Sequence, residues 1–86
     1  MPEVSRFFGI IIALYYNDHS PPHFHAKYGG EQASLRIDNG AILEGNLGAR
    51  ALRLVEEWRT LHEAELLEDW TLARARQPLN SIEPLE

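Results

Sequence analysis

No cysteine occurs in the chain. That removes both a disulfide staple and a thiolate metal site, so any bound metal must be held by His, Asp or Glu. Basic side chains are scarce as well: eight Lys and Arg stand against thirteen Asp and Glu, a formal net charge of -5. This balance repels a polyphosphate at long range and argues against general nucleic-acid binding, although a small basic patch remains compatible with it. A long hydrophobic run is missing too. The longest, Phe7 to Tyr16, contains Gly9 and has about half the residues a membrane-spanning helix needs. No basic segment with a small-residue cleavage pattern precedes it, so a cytoplasmic location without a membrane partner is expected. Internal repeats and low-complexity tracts are absent, and proline is dense only at Pro21-Pro22 and beyond Pro78. An 86-residue chain then has room for one domain and one core, near the size at which folding buries only about 60% of the unfolded surface.

What is present reads as strands followed by helices. Phe7 to Tyr16 carries β-branched and aromatic residues on both alternate sets, the mark of a central strand apolar on both faces. Asn17 to Pro22 is turn chemistry, because Asn and Asp favour turns and Pro-Pro enforces an extended path. Alternation resumes at His23, meets Gly29-Gly30 and continues from Glu31 to Asp38, which predicts a hairpin with a two-residue turn. Counting back from that turn opposes Tyr28 to Glu31, Lys27 to Gln32, Ala26 to Ala33, His25 to Ser34, Phe24 to Leu35 and His23 to Arg36. Phe24, Ala26, Tyr28, Ala33, Leu35 and Ile37 fall on the core face; His23, His25, Lys27, Gln32, Ser34 and Arg36 fall on the other. Asn39-Gly40 is a second turn leading into a short strand over 41–44. A two-residue turn there sets Ile42 opposite Ile37 and Leu43 beside Arg36, unless a bulge intervenes.

Beyond Gly45 the period becomes helical, with Leu52, Val55, Trp58 and His62, then Leu66, Leu67, Trp70 and Ala73. One helix over 49–76 would be roughly 42 Å long, too long for so small a domain, which predicts two helices, 49–62 and 63–76. Glu63 and Glu65 suit the N-terminal end of the second, and Arg74 and Arg76 its C-terminal end. Pro78 ends it, and a tail over 78–86 is expected to be extended, with Leu79, Ile82 and Leu85 docking on the sheet or on a partner. The fold class is α+β: a three- to four-stranded, mainly antiparallel sheet followed by two C-terminal helices, both packed on one face.

The stretch Asp18-His19-Ser20-Pro21-Pro22-His23-Phe24-His25 is the most function-like feature. His23 and His25 lie two residues apart on one strand and share a face, while Phe24 between them anchors the strand in the core. His19 and Asp18 reach them from a loop whose path the prolines restrict. Three chemistries use such a set. Three imidazoles, or two with Asp18, would hold zinc with an open fourth position, or nickel or iron. Two histidines can divide the roles of acid and base in phosphodiester cleavage by 2′-hydroxyl attack, with Lys27 or Arg36 steadying the phosphate. Protonation of the cluster can also alter a docking surface for another protein. The plain alternative is a set of ordinary turn and edge groups bonded to backbone carbonyls or to Asp18.

Tyr15 and Tyr16 end the first strand, so one of them faces the cluster; the sequence leaves open which, and Tyr16 joins Asp18, Lys27, Ser34 and Arg36 as a supporting residue. His62 suits a capping or core-edge role, Trp58 and Trp70 suit the core, and Glu56, Glu57, Glu63, Glu65, Glu68 and Asp69 read as a solvated helix face.

Several stretches together carry a family resemblance: Ser5-Arg6-Phe7-Phe8-Gly9-Ile10, Tyr15-Tyr16-Asn17-Asp18-His19, Pro21-Pro22-His23-Phe24-His25, Glu57-Trp58 with Leu61-His62, Glu65-Leu66-Leu67-Glu68-Asp69-Trp70, and Ile82-Glu83-Pro84-Leu85. The chain resembles the bacterial domain of unknown function 4160 family over nearly its whole length, with Gly48 where a proline often opens the first helix. The resemblance implies a gene beside one for another small protein, in an arrangement like a toxin-antitoxin module. This chain is then expected to be the toxin-like half, since it lacks the basic arm or helix-turn-helix of an autoregulating antitoxin. The expected function is that of a module component acting through His19, His23 and His25, as a nuclease on RNA. The alternative is a non-catalytic protein-interaction or metal-binding module. The expected partners are a small cognate protein from the neighbouring gene and, as a homodimer, a second copy.

Overall fold

The computed structural model describes residues 2–86. Five strands, β1 Glu3–Phe7, β2 Ile10–Ala13, β3 His23–Tyr28, β4 Glu31–Arg36 and β5 Ile42–Asn46, precede two helices, α1 Ala49–Leu61 and α2 Glu63–Arg74. The strands form one sheet in the order β1-β2-β3-β4-β5, and every neighbouring pair is antiparallel. The fold is α+β as expected, with a strand more than the three or four anticipated.

The additional strand comes from the run read as one central strand over 7–16. Phe8 and Gly9 take φ of 50° and 81°, so the chain reverses there and Phe7 pairs with Ile10. Two successive positive φ values match the twist of a hairpin, yet phenylalanine is a rare occupant of that region, and a lone Gly inside an apolar run does not announce a turn. Phe8 is left exposed at the hairpin tip while Val4, Phe7, Ile10 and Ile12 are buried.

The β3–β4 hairpin has the expected register at all six positions, from His23 opposite Arg36 to Tyr28 opposite Glu31. Phe24, Ala26, Ala33, Leu35 and Ile37 are buried, whereas Tyr28, expected in the core, is exposed and lies over Gly9 of the first hairpin. At β5 the bulge alternative holds. Ser34 pairs with Glu44 but Leu35 pairs with Ile42, so Ile42 does not meet Ile37 and is exposed. Gly45, at φ 77°, lies so close to the Gln32 carbonyl that a Cβ there would collide with it.

The helix break falls at His62, with φ -125° and ψ 24°. Its ring sits 5.4 Å from that of Trp58 and bonds Glu65 at 2.6 Å, a core-edge role. Gly48 opens α1 with φ -60° and ψ 157°, a backbone that proline also adopts, but its N–H donates to Glu31 at 2.9 Å, a bond proline could not make. Trp58 centres the core, 5.4 Å from the Phe7 ring and 6.1 Å from that of Phe24. The tail docks on the chain itself: Ile82 donates to the Val4 carbonyl, and the Trp58 indole donates to that of Glu83.

The acidic helix face is less solvated than expected. Glu56 and Glu63 flank Arg59, which is buried and donates to the Ile37 carbonyl at 2.8 Å. Asp69 is fully buried. Its Oδ1 accepts from the Asn80 N–H at 2.9 Å, and Oδ2 has no partner among the described residues.

Candidate functional site

The β2–β3 connection leaves the sheet after Leu14, whose N–H still donates to Pro2, and returns at Pro22, whose carbonyl accepts from Ile37. In between, Arg76, which lies beyond the end of α2 because the helix stops at Arg74 and not at the expected residue 76, donates to Asn17 Oδ1 at 2.9 Å, and the Ser20–Pro21 peptide bond is cis. Tied at these points, the loop lays Asp18 over the first three residues of β3. Phe24 is drawn into the core, so strand alternation turns both flanking imidazoles towards that carboxylate.

One oxygen, Asp18 Oδ2, lies 2.9 Å from His25 Nε2 and 3.2 Å from His23 Nε2. Donor atoms of the three residues all lie within 4.8 Å of one another. The other ring nitrogens are also engaged. His23 Nδ1 is 2.8 Å from the Pro21 carbonyl oxygen, and because a carbonyl only accepts, that nitrogen carries a proton. His25 Nδ1 is 3.2 Å from Ser34 Oγ, a hydroxyl able to donate or accept. Neutral His25 is therefore satisfied, its Nε2–H donating to Asp18 and its Nδ1 accepting from Ser34. His23 is different: with its proton on Nδ1, Nε2 aims a lone pair at an ionised carboxylate unless a second proton or a cation lies between them.

Aromatic rings hold both imidazoles. Tyr15 meets His25 edge-on at 4.3 Å, and Trp70 lies 5.2 Å from His23, tilted by 50°. The Arg74 guanidinium lies over the Trp70 ring, 5.9 Å from its centroid. It is Tyr15, then, and not Tyr16, that faces the cluster; Tyr16 is exposed. Two open cavities adjoin the site. One, about 340 Å³, is lined by Asp18, His19, His23, His25, Leu43 and Glu44 among others. Another, about 320 Å³, is lined by Tyr15, His25, Gln32, Ser34, Glu44 and Gly45 with Ala33.

The structure thus gathers Asp18, His23, His25 and Ser34 as the sequence suggests, and separates the remaining candidates. His19 is an exposed rim residue of the larger cavity and is not in the convergent donor set, which is Asp18, His23 and His25 among the described residues. Lys27 lines a different depression, with Gly29, Gly30, Glu31 and Gln32. Arg36 is clasped by Asp38 through two hydrogen bonds of 2.9 and 2.8 Å, and that guanidinium holds the Asp38 carboxyl below the usual carboxylate range. Three contributors were not legible beforehand: the Pro21 carbonyl, Trp70 and Glu44. Trp70 follows the apolar period and gives no sign of a second role. Glu44 reaches this face only through the β5 bulge.

These features define a small α+β domain with a five-stranded antiparallel meander followed by two helices, and a two-histidine, one-carboxylate site at the start of the middle strand. More particularly, the chain belongs to the family described as Domain of unknown function (DUF4160), whose family model matches residues 9–71. That span includes every residue of the site. No curated protein and no solved structure matches the chain.

Proposed function

We propose that this protein is a divalent-metal-binding domain in which Asp18, His23 and His25 hold one first-row ion, zinc before nickel or iron. The observation that carries this reading is the pairing of His23 Nε2 with Asp18 Oδ2 while Nδ1 is committed to the Pro21 carbonyl. A cation between the two groups resolves that contact. A backbone carbonyl behind one imidazole and a hydroxyl behind the other are the outer partners that fix ring orientation in histidine metal sites. At metal–ligand distances near 2.1 Å, tetrahedral ligands lie about 3.4 Å apart, so separations of 2.9 and 3.2 Å need open only slightly. Three protein ligands would leave one coordination position open beside the cavities that these residues line, and an ion held there would supply an acidified water for hydrolysis. Asp18 would offset part of its charge, while Tyr15 and Trp70 restrict the imidazoles.

The test is metal analysis of untagged protein after dialysis against zinc. One zinc per chain in the wild type and none in the His23→Ala, His25→Ala double variant is the expected result; a metal-free wild type with the same fold overturns the proposal.

A second reading concerns context. A toxin-like half of a two-protein module needs a surface for its cognate protein, and β5, an edge strand exposed along its whole length with Ile42 and Leu43, offers one beside the cavities. Growth arrest on induced expression, relieved by the double variant and by the neighbouring gene product, is its expected signature. For nuclease action the ion would have to provide the positive centre, since neither cavity includes Lys or Arg in its lining.

A further inference from the structure

The β5 bulge changes which face Glu44 occupies. With an uninterrupted two-residue turn at Asn39-Gly40, Glu44 would oppose Leu35 and point to the core side. The shift between Ser34 and Leu35 sets it opposite Ser34 instead, and Ser34 in turn opposes His25. Directly paired residues share a face, so His25, Ser34 and Glu44 form a row across three strands. Two strand spacings, roughly 10 Å, separate its ends. Glu44 is therefore too distant to join the ligand set directly but close enough to contact a small molecule seated against it. It lines both cavities. Among the described residues its carboxylate has no hydrogen-bond or ion-pair partner, whereas Asp18 is bonded and Ser34 is bonded. Tyr15 shares the smaller cavity with it.

We infer that Glu44 selects the substrate of the site: a small compound bearing an ammonium or guanidinium group at one end, received by Glu44 and the Tyr15 ring, and an oxygen function at the other, presented to the ion. This rests on the metal reading above. An unengaged carboxylate beside an aromatic ring is suited to organic cations. No Lys or Arg lines either cavity to favour an anion, and the overall charge of -5 acts in the same direction. Cavities of about 320 and 340 Å³ lie at the lower end of the range for small-molecule sites, which limits the ligand to a few heavy atoms beyond the metal-binding group.

The test uses zinc-loaded full-length protein and three hydroxamates of similar length, followed by calorimetry: 6-aminohexanoic hydroxamate as cation, hexanoic hydroxamate as neutral probe, and adipic monohydroxamate as anion. The expected order is cation, neutral, anion, with each step about five- to tenfold at low salt and smaller at high salt. Glu44→Gln retains one zinc per chain and loses the discrimination; Glu44→Lys reverses it. Equal binding of the three probes with zinc in place, or an unchanged order in Glu44→Gln, overturns the inference and leaves the metal reading intact. Tighter binding of bis(p-nitrophenyl) phosphate than of the cationic probe overturns it in favour of a phosphodiester substrate. Failure of wild-type protein to hold zinc removes both.

Discussion

At the residue scale, the two buried or half-buried aspartates of this chain illustrate opposite solutions to one electrostatic problem. Asp18 is taken partly out of water but meets two imidazoles, whereas Asp69 is taken out completely and meets one backbone N–H. Burial therefore raises the Asp69 carboxyl above its ordinary value, with Glu68 and Glu65 pushing the same way against the Asn80 N–H. The folded protein then keeps this proton to a higher pH than the unfolded chain. Between those two values the native state binds more protons, so stability falls as pH rises through the window and the full penalty remains above it. Asp69→Asn retains an acceptor for Asn80 and removes the charge. It is expected to stabilise the protein at pH 7 by on the order of 1 kcal/mol, with no gain below the unfolded carboxylate range. Urea unfolding at several pH values checks this, and an equal effect at every pH would show that charge is not the cause.

At the scale of elements, the β5 bulge is what brings a carboxylate to the histidine face. Its hinge is Gly45, whose φ of 77° and closeness to the Gln32 carbonyl leave no room for a side chain. Gly45→Ala should cost about 1–3 kcal/mol and disturb Glu44 before it disturbs the proposed metal ligands, which sit on β3 and its preceding loop. Unfolding measurements together with zinc stoichiometry separate these effects: the expected variant is less stable, still binds one zinc, and discriminates poorly among the hydroxamates. Hydrogen-bonded register also explains which elements could be read early. The Gly29-Gly30 turn fixes its hairpin locally, so pairing followed by counting. At Asn39-Gly40 the turn signal is just as strong, but the pairing slips because a bulge is selected by packing and by the clearance at Gly45, neither of which is a property of the turn.

For the whole molecule, the tail closes the structure far from where sequence order would place it. Ile82 is buried, its N–H reaches Val4, and the next carbonyl takes the Trp58 indole proton. Last residues, first strand and first helix are thereby joined over the central tryptophan. Ile82→Ala should destabilise by about 2–5 kcal/mol, measured as a fall in the urea midpoint. A change below 0.5 kcal/mol would mean the tail is not part of the cooperative unit. The site lies on the face away from Trp58, so zinc binding by this variant should persist at low temperature.

Periodicity and turn chemistry were enough to establish strands before helices, the β3–β4 register, two helices broken near His62, and a shared face for His23 and His25. Each depends on interactions between residues close in sequence, or joined by one tight turn. The first hairpin was hidden because Phe8 occupies a backbone region its side chain disfavours and only neighbouring strands reward. Which tyrosine faces His25, the exclusion of His19 from the donor set, the capture of Arg36 by Asp38, and the arrival of Trp70 and Glu44 were decided by tertiary structure alone. Those outcomes depend on loop path, helix placement and a bulge, where residues distant in sequence compete for the same space and the same polar partners.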